Sequence, residues 1–180
     1  MNGTLSFAWL LPGILTLAST AVAPSYSQEL NRGLQYNIRD VTMSLRRSPC
    51  FGTCPSYTLV IHGDGSGVYG GRAFVAVEGM QTFHLERDSI VALLKAFWEI
   101  DFQSLKTNYT EGRTVQVLQD GTLQFVAMNV SDVPLMFLKL EIGDSAKEIE
   151  FNHMYGLRSL IDLANRMDTM TNSSQWIQKK

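Results

Sequence analysis

Ser48-Pro49-Cys50-Phe51-Gly52-Thr53-Cys54-Pro55-Ser56-Tyr57-Thr58-Leu59-Val60-Ile61-His62 holds both cysteines of the chain and runs directly into an alternating apolar segment. Tyr57, Leu59 and Ile61 share one face at a period of two, the pattern of a half-buried strand. Gly63-Asp64-Gly65-Ser66-Gly67 then turns the chain and Val68-Tyr69-Gly70 resumes in extended form, so residues 57–69 read as a hairpin. Upstream, Val41-Thr42-Met43-Ser44-Leu45-Arg46 alternates in the same way until Arg47-Ser48-Pro49 ends it. The heart of the fold is therefore a sheet assembled from neighbouring strands.

Further along, residues 74–77 and 81–85 read as another hairpin around Glu78-Gly79-Met80. The period then changes. Ile90, Val91, Leu93, Leu94, Phe97 and Trp98 form a helical stripe that Asp88 or Ser89 is placed to cap. Phe102 and Leu105 follow as core candidates, and residues 108–113 are polar. Residues 114–118 and 123–130 flank Asp120-Gly121, a strong hairpin cue. Residues 135–142 and 147–151 make a further pair around Gly143-Asp144. Leu157, Leu160, Ile161, Ala164 and Met167 recur at helix spacing, and residues 171–180 read as a polar tail that frays. The expected class is α+β, a mainly antiparallel sheet with two packed helices, in a single domain over residues 37–170.

The chain has 180 residues, 45% of them hydrophobic and 18% charged, which is a globular composition. A formal net charge of -2 leaves no basic excess to neutralise phosphates, so a nucleic-acid partner is not expected. No charged side chain precedes Glu29, and Phe7 to Leu17 is an apolar stretch followed by Ala- and Ser-rich sequence. Residues 1–27 thus resemble a signal peptide, with Ser25 and Ser27 as the small residues before the cut and 28–36 as a flexible lead-in. The alternative is an uncleaved anchor or a buried N-terminal helix. Pro12, Gly13, Thr16 and Ser19 interrupt the stretch, and a membrane span needs roughly 20 apolar residues. No stable transmembrane span is expected once the signal is removed.

Export suits the cysteines, because disulfides persist outside the cytosol. Cys50 and Cys54 are close enough to bridge around Phe51-Gly52-Thr53, with Gly52 easing the turn. Free or transient thiols are the alternative. Two sulfurs alone do not complete a zinc site, and the usual redox motif has two intervening residues rather than three.

Cys50-Phe51-Gly52-Thr53-Cys54-Pro55-Ser56-Tyr57, with Leu59-Val60-Ile61, Asp64-Gly65 and Tyr69-Gly70-Gly71, resembles a bacterial family of uncharacterised domains, DUF6438. Leu93, Leu94 and Phe97, then Tyr109, then Asp132 and Pro134, extend the resemblance over residues 37–168. One spacing departs from it: Asp-x-Pro is expected soon after Tyr109, yet residues 110–131 intervene, as though a hairpin were inserted. The resemblance implies an exported or envelope-associated bacterial protein and brings no activity or catalytic residues with it.

Chemical motifs are few. His62, His84 and His153 have no local metal-ligand spacing, and no Gly-x-Ser-x-Gly elbow is present. The glycines at 63–71 are flanked by strands and belong to turns, where Asp64 caps the backbone. Trp176 is an unexpected aromatic in a polar tail, a candidate surface residue docking on the body or on a partner. Site candidates are therefore the Cys50–Cys54 pair and the turn residues Phe51, Gly52, Pro55, Tyr57, Asp64 and Gly65. No cofactor, metal or catalytic residue is assigned. The expected function is a non-catalytic periplasmic or secreted domain that binds an envelope protein or small ligand, through its open sheet face or the inserted hairpin. The alternatives are an envelope enzyme or thiol-redox protein working at Cys50 and Cys54, and an inhibitor-like module that presents Phe51.

Overall fold

The computed structural model describes residues 35–128 and 132–178. The expected signal peptide and most of the lead-in lie outside the described residues. A single 3₁₀ turn, Ile38–Asp40, leads into β1 (Val41–Arg47). β2 (Ser56–His62), β3 (Ser66–Ala73) and β4 (Gly79–His84) follow, then helix α1 (Arg87–Glu99). The next strands are β5 (Asn108–Tyr109), β6 (Gly112–Val117), β7 (Leu123–Met128), β8 (Leu135–Ile142) and β9 (Ser145–Asn152). Helix α2 (Arg158–Met170) and the one-turn α3 (Ser174–Ile177) close the chain. Seven strands form one sheet in the order β4-β3-β2-β1-β8-β9-β5, antiparallel except for the parallel β5–β9 pair. The fold is α+β with two substantial packed helices.

Strand parity builds the core. Met43 sits between Ile61 and Leu140, and Leu45 between Leu59 and Leu138, all on one face and all buried. Ile90, Leu93, Ala96 and Phe97 of α1 and Leu160, Leu163, Ala164 and Met167 of α2 bury their stripes in the same cluster. Burying one such aliphatic side chain contributes roughly 1.5–3 kcal/mol. The opposite face carries mixed, largely polar rows instead: Thr42 with His62 and Glu141, Ser44 with Val60 and Lys139, Arg46 with Thr58 and Phe137. There the Arg46 guanidinium lies 3.4 Å from the Phe137 ring centroid.

Four local expectations give way. Residues 74–77 are a loop, because β3 extends to Ala73 and pairs with β4 from Gly79. Phe74 takes a positive φ of 56°, and the N–H groups of Ala76 and Val77 donate to the carbonyls of Ile177 and Trp176. Residues 171–178 pack where fraying was expected: Thr171 and Ser173 are buried, and Trp176 rests 5.0 Å from Tyr69 and 5.9 Å from Phe83, ring to ring. The polar loop after α1 contains the two-residue strand β5. Neither Asp88 nor Ser89 caps α1; Glu86 is its N-cap without a side-chain bond, and Asp88 in the first turn supplies only favourable charge.

Candidate functional site

β1 carries its alternation one residue beyond the apolar run. Val41, Met43 and Leu45 point to the core, so Arg47 does too. Its cross-strand partners are Tyr57 on β2 and Met136 on β8, and Met136 is paired in turn with Phe151 on β9. A cation in that row needs an anion, which α2 supplies: Leu160 and Ala164 are buried at i, i+4 spacing, and Asp168 is the next residue of the series.

Arg47 Nε and Nη2 donate to Asp168 Oδ2 at 3.2 and 2.7 Å. Nη2 also donates to Asn165 Oδ1 at 3.1 Å. Asp168 Oδ1 accepts from the Tyr57 hydroxyl at 2.7 Å and from Ser173 Oγ at 2.8 Å. Ser173 reaches it because α2 ends in a Schellman motif: Asn172, at φ 51°, donates to the Thr169 carbonyl and Ser173 to the Asp168 carbonyl. Burial alone would lower the Arg47 pKa, but Tyr57 and Asp168 outweigh it and the net shift is upward. Burial, then the Asp168 charge, pushes Tyr57 far above the ordinary tyrosine range. The cluster therefore holds one cation, one anion and a protonated phenol.

A cavity of about 300 Å³ opens beside this cluster. Arg47, Tyr57 and Met136 form one wall, Cys54 and Pro55 another, and Leu135, His153 and Ile177 close it. Partial desolvation at the cavity wall, then the neighbouring Arg47 charge, holds the His153 pKa below its usual value although the residue sits on an exposed turn. Cys50 and Cys54 are joined in a disulfide with Cα atoms 5.5 Å apart. It pins a loop on which Phe51 is 94% exposed. Gly52 takes no positive φ, and an added Cβ would meet only Cys50 Sγ at 3.8 Å, so this turn does not require glycine.

The remaining sequence candidates are placed elsewhere. Asp64 and Gly65 lie beyond the far end of β2, roughly 20 Å from Tyr57 by strand rise. There Gly65 has φ 92°, and Asp64 Oδ1 accepts from the Ser66 N–H and hydroxyl, which hold its pKa low. Trp176 docks on the body against Tyr69 and Phe83 rather than standing on the surface. The reading of the sequence passed over Arg47, Asp168 and Ser173 and took His153 as a boundary residue. Extending the period-two pattern to Arg47 and the period-four pattern to Asp168 was the signal for that pair; nothing local announces Ser173.

The second candidate is the separate β6–β7 sheet. Its register sets Val115 opposite Phe125 and Val117 opposite Leu123, four apolar side chains on one face. All four are exposed, Phe125 by 74% and Leu123 by 68%. Asp120 accepts from the Thr122 N–H and hydroxyl at the tip, and Gly121 takes φ 84°. At the base, a Cβ on Gly112 would come within 2.2 Å of the Tyr155 ring, so the hairpin root needs glycine. These strands are the insertion read between Tyr109 and Asp132.

The family model described as "Domain of unknown function (DUF6438)" matches residues 41–171. The chain belongs to that family. Its matched region takes in the sheet, both long helices, the disulfide and Asp168. No curated protein and no solved structure matches the chain. Among the described residues of this DUF6438 domain, no three or more His, Cys, Asp or Glu side chains gather as a metal would require, and no helix is long and apolar enough to cross a membrane.

Proposed function

We propose that this DUF6438 protein is an exported, non-catalytic binding domain that grips an extended segment of an envelope protein through β6–β7. The observation that carries this is the face made by Val115, Val117, Leu123 and Phe125, apolar and exposed together. Among the described residues β6 and β7 pair only with each other, which leaves each a backbone edge for an added strand. An apolar face beside open main-chain edges suits a polypeptide. Residues 108–128 carry Arg113 as their only Lys or Arg, beside Glu111 and Asp120, which disfavours an anionic lipid surface. The open face of the large sheet mixes Val60, Val68 and Phe137 with charged and polar side chains, whereas the hairpin sets four exposed apolar side chains side by side, which makes it the stronger contact surface. Export rests on the character of residues 1–27.

A photo-crosslinking side chain at position 117 or 125, in cells that naturally make the protein, tests this. Crosslinks to one protein from 117 and 125, but not from 116 and 124 on the other face, are expected. Equal crosslinking from both faces, none at all, or crosslinks only to a second copy of the chain or to lipid would overturn the reading.

A thiol-redox role is the second reading, and Cys54 standing in the wall of the Arg47 cavity favours it. It requires the disulfide to open in a glutathione buffer of periplasmic potential; a bond that stays oxidised there removes it.

A further inference from the structure

We infer that the cavity beside Arg47 is a binding site for a small carboxylate with an apolar body. The inference is independent of the hairpin reading and rests on the donor ledger of one guanidinium. Arginine has five N–H groups. Three are taken by carboxylate and amide oxygens: Nε and one Nη2 proton by Asp168, the other Nη2 proton by Asn165. Among the described residues, Nη1 donates only to the Met136 thioether sulfur, a weak acceptor. Met136 lines the cavity with Arg47, and the Arg47 charge acts on His153 in the same lining, so we place the under-used end of the guanidinium within reach of a ligand there.

Asp168 does not line the cavity. It borders a different depression formed by the α2–α3 turn, and both its oxygens are saturated by Arg47, Tyr57 and Ser173. A ligand in the Arg47 cavity therefore meets the cation, with the anion fixed behind it. Asp168 offsets much of the Arg47 charge, so a monoanion is better matched than a dianion such as phosphate. A ligand cation would face the guanidinium directly. Tyr57, Leu135, Met136 and Cys54 supply apolar surface for the rest of the molecule. At about 300 Å³ the space lies at the lower end of small-ligand sites and suits an acid with a short alkyl or single-ring body. A carboxylate oxygen accepting from Nη1 would exchange a sulfur contact for a charge-assisted bond.

The test titrates phenylacetate and butyrate into the full, oxidised protein by calorimetry, with phenylacetamide and butyramide as neutral matches. The acids should bind saturably at one site and the amides roughly tenfold or more weaker, as loss of a charge-assisted bond predicts. Arg47→Gln should abolish the preference, but it also removes the partner of Asp168 and can unfold the domain. His153→Trp therefore serves as the second variant: His153 is on an exposed turn, so the substitution should keep the melting temperature while filling the cavity and abolishing binding. Equal affinity for acid and amide, no binding of either, or undiminished binding by folded His153→Trp would overturn the inference.

Discussion

Arg47 stands where the alternation of β1 calls for an apolar side chain, and the domain pairs it with Asp168, a carboxylate held in place by Tyr57 and Ser173. Asp168→Ala removes the carboxylate that accepts from Arg47, Tyr57 and Ser173, and leaves Arg47 with only the Asn165 amide oxygen and the Met136 sulfur. The Arg47 and Asp168 side chains are 15% and 20% exposed, so a cation would be left largely desolvated. We expect the substitution to cost about 3 kcal/mol, the lower end for a broken buried pair, with an unchanged denaturant slope in urea unfolding. A loss below about 1 kcal/mol would show the pair to be solvated and weak. The same cluster gives an alkaline signature. Burial and the Asp168 charge raise the folded pKa of Tyr57, so its contribution to stability is complete below the ordinary value of 10.0 and declines as pH rises beyond it. In that window the unfolded chain ionises Tyr57 and the folded chain does not. Burial also raises the Tyr69 pKa, so ultraviolet titration of the folded protein should leave both Tyr57 and Tyr69 lagging, and Tyr57→Phe should remove one tyrosine from the amplitude that appears only on unfolding.

At the scale of elements, each long helix ends in the same way. Asp101 at φ 49° donates to the Trp98 carbonyl, and Phe102 donates to Phe97, whose ring it meets edge-on at 4.9 Å. This is the Schellman cap of α1 with aspartate where glycine is most at ease. Asp101→Gly is therefore expected to raise stability by about 1 kcal/mol, read as a higher melting temperature. A decrease would mean that the aspartate side chain contributes something the cap geometry does not show. The elements that could be read from sequence were those with a sustained period: Val41 to Leu45, Tyr57 to Ile61, and the stripes of the two helices. Phe74 to Val77 defeated that reading because its backbone partners come from Trp176 and Ile177, about a hundred positions away. β5 was hidden for a similar reason, since two residues carry no period and Asn108 and Tyr109 are extended only by pairing with Glu150 and Phe151.

For the whole molecule, the disulfide and the hairpin lie outside the main core. The five-residue loop closed by Cys50 and Cys54 contributes about 2 kcal/mol in the chain-entropy account, through the unfolded chain, and brings Cys54 to the lining of the Arg47 cavity. Export and oxidation are tested together by the mass of protein recovered from the periplasm. A chain starting at Gln28 with both thiols blocked until reduction is expected; retention of residues 1–27 with two freely labelled thiols would remove the envelope location. The hairpin was legible from Asp120-Gly121 and the displaced Asp132-x-Pro134, but its separation from the sheet was not. Val115, Val117, Leu123 and Phe125 are the residues that would ordinarily be assigned to a core, and only their placement reveals that this domain leaves them uncovered. Amide hydrogen exchange on the isolated protein tests that claim most directly. Gly112–Val117 and Leu123–Met128 should exchange far faster than β1, β2 and β8, because two strands with bare faces open easily. Protection in β6–β7 equal to that of the central strands would mean that the apolar face is already covered by the body of the domain, and would contradict its role as the contact surface.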